Sequence, residues 1–308
     1  MTEAELFSAL GKPLGINPAI ALQPIPLPVW TPETGPYHKV QYVIEIVGPN
    51  LIPAQTVKSL LEQSKRASLG NPELYVMAPG MQRWQAMWAG DNNISYDSLA
   101  FAWDLVTPKG QISEATATEL WNRAEGFAKT IQRRAAPLPP PKDAAIAAKN
   151  IAALRDSLDI GVDLLIAPRK EPITTAKLFE VAYSIGFSLR VSGLLEFRQQ
   201  GWPEALVTIL PAYEGEYFDV RTCPTLDGVA IGFSLPCSPS PEQALDRTFD
   251  AAQKLCDALD GVASNDEGRI ADAYLLRQWS ELASKASAEL EKVGIKPGSA
   301  EALRIFTP

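Results

Sequence analysis

Two stretches of the chain alternate large apolar and small residues with a period of two, the pattern of a half-buried strand. In Tyr96–Val106 the residues Leu99, Phe101, Trp103 and Leu105 point one way, and Ala100, Ala102 and Asp104 the other. In Leu226–Pro236, a shift of 130 residues, Val229, Ile231, Phe233 and Leu235 oppose Ala230, Gly232 and Ser234. Each strand leads through a polar turn into a helical pattern, over Glu114–Ile131 and Pro241–Leu259. A further helix closes each stretch. Its apolar stripe is Ala147, Ile151, Leu154 and Leu158 in one case, and Leu275, Trp279, Leu282 and Ala286 in the other. The beginnings also agree. QYVIEIV (41–47) and DLLIAP (163–168) read as strands, each followed by a turn and a helix, with Ile52 and Ile173 in corresponding places.

The middle strands complete the pattern: ELYVMA (73–78) and RWQAMWA (83–89) in the first half, FSLRVSG (187–193), LLEFRQ (194–199) and ALVTIL (205–210) in the second. The expected fold class is therefore α+β: two tandem, duplicated domains, each an antiparallel sheet with helices packed on one face. Residues 37–159 form the first domain and 160–296 the second, with tails at 1–36 and 297–308. One face of each sheet is left without helices, either solvated or used for docking.

The first 36 residues hold seven of the 26 prolines and should be extended after a short helix capped by Thr2 and Glu5. Two readings stay open for this tail. It is a tether, or it packs across a domain face through Ile25, Leu27, Val29 and Trp30. It has neither the basic start nor the cleavage site of a secretory signal.

Composition narrows the function. No apolar run approaches the roughly 20 residues that span a bilayer, so no membrane insertion by this chain is expected. A net charge of −8 argues against nucleic acid and gives no support to docking on anionic lipid. Three cysteines and one histidine, without metal-ligand spacing, predict no metal site, no cofactor and no histidine-centred catalysis.

The second half resembles the FtsZ-binding carboxy-terminal domain of the bacterial cell-division protein ZipA. The resemblance is carried by ALVTILPAYEGEYFD, by LDGVAIGFSLPCSPSPEQALDRTFDAAQKLCDALDGVASNDEGRIADAYLLRQW, and within it by the corner DGVASNDEGRI (Asp260–Ile270). It covers roughly residues 160–292, with the first half a degenerate copy. The whole chain looks like a two-copy version of that family, whose members begin with a membrane anchor. The chain is then expected to be cytoplasmic, and inner-membrane-associated if such an anchor has been removed. The resemblance implies a non-enzymatic module that binds the tail peptide of FtsZ, or another divisome protein, on the helix-free sheet face. No small-molecule substrate is implied. Carried over by strand alignment, the groove consists of Leu210, Ala212, Glu214, Ala230 and Gly232, with Gly193 beside it.

Most of these side chains are smaller than the family pattern, and Glu214 stands where the family has a lysine. Losing 100 Å² of apolar contact would cost about 2.5 kcal/mol at ~25 cal/mol per Å². An alternative follows: a structural or assembly protein whose faces pair with each other or with another chain, peptide binding being lost. Ala100 and Ala102 give the first copy a similar small-residue face, and Trp84 and Trp88, four apart in an expected strand, offer aromatic anchors there.

Other features read as structural. Arg133–Arg134 complement a helix C-terminus, and APLPPP (136–141) is a rigid spacer. Cys256 is a small core residue and His38 a rim residue. The acidic turn Glu214, Glu216, Asp219 is solvated and has no nucleophile near in sequence.

Overall fold

A computed structural model describes residues 2–28, 35–89, 94–212, 217–218, 220–221 and 224–307. Val29, Trp30, Glu214, Glu216 and Asp219 lie outside these residues. The chain divides into two compact units. One comprises 31–158 with 303–308, here the first domain; the other comprises 1–30 with 159–302, the second domain. Both are α+β. The elements begin with helix α1 (Glu3–Leu10), which belongs to the second domain.

The first domain runs β1 (Gln41–Val47), α2 (Ala54–Ser59), α3 (Gln63–Ser68), β2 (Glu73–Met77), β3 (Gln85–Ala86) and β4 (Ser98–Asp104). It continues with the hairpin of β5 (Val106–Thr107) and β6 (Gly110–Gln111), α4 (Glu114–Thr130), β7 (Arg134–Leu138) and α5 (Pro141–Leu158). The five-stranded sheet has the order β3-β2-β4-β1-β7, antiparallel throughout. Alternation decides its core. Tyr42, Ile44, Ile46, Leu74, Val76, Leu99, Phe101 and Trp103 meet Ala117, Leu120, Ala124 and Ala128 of α4, and Ala144 and Ala148 of α5. The alanines let the helices sit close to a sheet of large side chains. Ser113 starts α4 by accepting the Thr116 N–H at 3.1 Å on its hydroxyl.

The second domain runs β8 (Gly161–Pro168), β9 (Ile173–Thr174), α6 (Thr175–Ile185), β10 (Ser188–Leu189), β11 (Leu195–Phe197), β12 (Val207–Pro211), β13 (Thr225–Leu226), β14 (Val229–Ser234), α7 (Pro241–Leu259), β15 (Gly261–Ser264) and α8 (Ala273–Lys292). Its sheet has the order β10-β11-β12-β14-β8-β15. Val162, Leu164, Ile166, Val207, Ile209, Val229 and Ile231 are buried on one face, as are Leu245, Ala251, Ala252 and Leu255 of α7. The last helix, α9 (Ala300–Phe306), ends in residues that group with the first domain.

Four strands agree in order and register between the sheets. β2-β4-β1-β7 matches β12-β14-β8-β15, with Ile44 paired to Phe101 as Leu164 is to Ile231. Ile46 faces Ala135 as Ile166 faces Ala263. In both, the central strand is followed by a long helix, an edge strand and another helix. The outer edges differ: β3 follows β2 in the chain, whereas β11 precedes β12.

Several local expectations need correction. RWQAMWA is not one strand. Only Gln85–Ala86 pairs, and Met87–Ala89 turns into a 3₁₀ helix, so Trp84 and Trp88 share no strand face. FSLRVSG pairs only at Ser188–Leu189. APLPPP is no plain spacer, because Arg134–Leu138 is the edge strand β7, where Pro137 removes no ladder donor that the sheet needs. Arg133 is buried rather than a helix-end charge. It donates to the carbonyl of Ile46 at 2.9 Å and to that of Asn50, tying β7 to the end of β1. Leu282 is exposed; α8 buries Leu275 and Ala286 of the expected stripe, with Ala283 and Leu290 in addition.

The amino-terminal segment is no free tether. Leu6, Leu22 and Ile25 are buried. Main-chain bonds run from Asn17 to Ser184 (2.9 Å) and from Leu22 to Ile185 (3.0 Å), and the Gln199 amide brackets Ile25 at 2.7 and 2.9 Å. Arg247 and Ser240 donate to the carbonyls of Gln23 and Pro26. Phe7 packs edge-on to Tyr183, whose hydroxyl donates to Glu3 at 3.0 Å. Burial, above all, pushes that tyrosine's pKa up to about 12. These contacts lie on α6, the start of α7 and the turn that follows β11.

Candidate functional site

The side chains opposite each core form the helix-free faces. On the second domain, cross-strand pairing aligns Leu210, Ala230, Leu165 and Ser264 in one row over four strands. All four are half-buried. A neighbouring row is Glu196, Thr208, Gly232 and Asp163. Ala212 continues β12, donating its N–H to Gly228 at 3.1 Å. Of the groove residues expected from sequence, Leu210, Ala230, Gly232 and Ala212 are thus gathered on one face. Gly193 is not among them. It sits in the turn between β10 and β11 at φ +79°, against the Cβ of Tyr217.

Gly232 is small for an internal reason. A Cβ there would collide with the Asp163 carboxylate and the Val162 carbonyl of the adjoining strand. The space is filled by the domain's own Asp163, not kept open for a second backbone. Asp163 is exposed as a residue, yet its carboxylate rests on the sheet at Gly232. Loss of hydration there, and next the charge of Asp266, hold its pKa above the ordinary aspartate value. Leu165 and Val262 belong to the apolar surface of this face, and sequence reasoning missed them as site residues. Leu165 was legible from the alternation of DLLIAP; Val262 was not, because β15 has only four residues.

The first domain's face is closed. Val43, Ala100 and Ala102 are 0, 0 and 1% exposed, and they cluster with Tyr75. Trp84 and Ala86 pack partly buried against them. Trp88, at 84% exposed, takes no part. At the end of this face Glu73 on β2 and Asp104 on β4 converge with Gln41 on β1. The Gln41 amide donates to Glu73 at 3.1 Å and to Asp104 at 3.2 Å. Tyr75 donates its hydroxyl to Glu73 at 2.5 Å.

Into this group α9 inserts Arg304. It donates to Asp104 at 3.0 Å and to the two oxygens of Glu73 at 3.0 and 2.7 Å, with its guanidinium 4.7 Å from the centre of the Tyr37 ring. Burial pushes the Glu73 carboxyl up, but the Tyr75 hydroxyl, the Arg304 charge and the Gln41 amide outweigh it, and its pKa lies below the usual glutamate value. Burial alone would lower the Arg304 pKa; Glu73 and Asp104 reverse this and raise it.

Chemistry elsewhere is sparse. Burial, first, holds the Cys256 thiol up at about 11, the reverse of an activated nucleophile. His38 is exposed. No group of three metal-ligating side chains occurs among the described residues, and none of their helices is long and apolar enough to cross a membrane. Neither a family model nor a curated protein matches the chain.

Proposed function

We propose that this chain is a non-enzymatic binding protein that docks a short peptide on the helix-free face of its second domain. The observation that carries the reading is the row Leu210–Ala230–Leu165, an apolar strip left half-open across three strands. Extended or helical peptides bind such strips by apolar burial, with specificity set by the side chains that line it. The resemblance to the ZipA domain names the partner: the FtsZ tail or a neighbouring protein of the division complex, met in the cytoplasm. The agreement of four strands in order and register supports a diverged duplication, with the second copy as the binding one.

A second reading is favoured for the first copy by its buried alanines. We propose that its face serves assembly of the fold rather than capture of that peptide.

The test is a titration of the chain with a fluorescently labelled FtsZ tail peptide, read by anisotropy. Saturable binding at micromolar concentration is expected, weakened at least tenfold by Leu210→Asp and by Leu165→Asp. No binding up to millimolar peptide by a folded chain would discard the reading.

A further inference from the structure

The pocket that receives Arg304 is built for one kind of side chain. Two carboxylates from neighbouring strands point at one spot, and both are fixed in place by Gln41, which is itself fully buried. The Gln41 side-chain oxygen Oε1 in turn accepts the Tyr37 N–H at 3.0 Å. A planar guanidinium can serve Glu73 and Asp104 at once with separate nitrogens while its face lies over Tyr37. An ammonium has neither the fork nor the flat face.

The segment that delivers the arginine is, by contrast, short. α9 has seven residues, too short to be stable as an isolated helix. Its anchoring ion pairs keep 23 to 39% of their side-chain surface in water and are therefore open to screening by salt. Beside Arg304, the side chains of Ile305 and Phe306 are buried. The pattern is that of a receptor site and a short ligand carried on one chain.

We propose that the Glu73–Asp104 pair at the end of the first domain's helix-free face is a docking site for an arginine-bearing segment flanked by large apolar residues, occupied in cis by Arg304 as an exchangeable latch. The partner it fits is a short amphipathic peptide of the same chemistry, arginine followed by aliphatic and aromatic side chains. Such a peptide gains access only when residues 303–307 let go. A tethered segment acts at an effective concentration in the millimolar range, so a free competitor is held off until it is locally abundant. This inference does not depend on what the second domain binds.

The experiment uses the full chain and a labelled peptide copying residues 298–308. In the Arg304→Glu variant the internal ligand is repelled from its two carboxylates. The peptide should bind this variant saturably at about 50 mM salt, and the wild-type chain at least tenfold more weakly. A peptide carrying lysine in place of its arginine should bind the variant at least fivefold more weakly. Equal binding to both chains, or none to a variant shown by circular dichroism to be folded, overturns the proposal. A variant that does not fold is replaced by amide exchange on the wild type. There the amides of 303–307 should exchange well before those of β4, and faster at 0.5 M salt; exchange only with global unfolding overturns the latch.

Discussion

The two helix-free faces start from one strand plan and end differently. On the first, the β1 position beside the central strand is Val43 and its cross-strand neighbour is Ala102. On the second, the matching pair is Asp163 and Gly232. A valine over an alanine makes a dry surface, and here it is fully buried. An aspartate over a glycine keeps a carboxylate on the sheet, and the face stays half-wet. The polar anchor is also displaced. In the first domain the carboxylates Glu73 and Asp104 stand at the end of the face and are answered by Arg304. In the second the acid stands mid-face, with Asp266 as its charged neighbour. Two sheets of like strand order thus end, one as an interior and the other as a surface.

The sharpest way to break this comparison is to exchange the two β-strand residues. Val43→Asp places an unpaired carboxylate in a fully buried site, and should cost about 4 kcal/mol or more, enough to unfold the first domain in a denaturant melt. Asp163→Val removes a poorly solvated charge from a half-open face, and should change stability by less than about 1 kcal/mol. Equal costs would mean that the faces are alike. A smaller contrast comes from their partners. Gly232→Ala drives a methyl into the Val162 carbonyl and the Asp163 side chain, and should cost about 2–3 kcal/mol. Ala102→Gly only removes a buried methyl and loosens a strand, roughly 1 kcal/mol. Urea midpoints of the four variants, followed by domain-specific resonances, decide both points.

How far these faces could be read from sequence follows from the range of each signal. Strand alternation is local, so Leu99, Phe101 and Trp103 against Ala100 and Ala102 were legible, as were the long helices α4 and α7 and the α+β class. Edge strands β7 and β15 were not, because five or four residues between helices carry no periodicity, and in β7 two-faced alternation is masked by Pro137. The buried role of Arg133 was hidden for the same reason: nothing local shows that the carbonyls of Ile46 and Asn50 lie beside it. On the candidate site, Leu210, Ala230 and Gly232 were placed by their strands, whereas Gly193 was misplaced because its strand stops at Leu189. Arg304 was invisible as a partner for Glu73 and Asp104. Those residues are 231 and 200 positions away, and no pattern in one sequence links them.

Acid supplies the gentlest test, because the two faces carry carboxylates shifted in opposite directions. The Glu73 pKa is depressed in the folded chain, so its contribution is complete above the ordinary value of 4.5 and is lost as pH falls through the lower folded value. The Asp163 pKa is raised above the ordinary 3.8, so its ionisation opposes folding at neutral pH and that opposition is relieved as pH falls. Lowering the pH from 6 to 3.5 should therefore weaken the first domain's face while easing the second's. Both groups are partly open to solvent, which keeps the effect small. It is read as a change in the order of unfolding, with Ile305 methyl resonances reporting on one domain and Leu210 on the other. The Ile305 signal should broaden or shift first as acid is added. In Glu73→Gln, which cannot titrate, that early step should shrink at 50 mM salt. If the step persists unchanged in Glu73→Gln, the acid sensitivity of the first domain resides in some carboxylate other than the one that clasps Arg304.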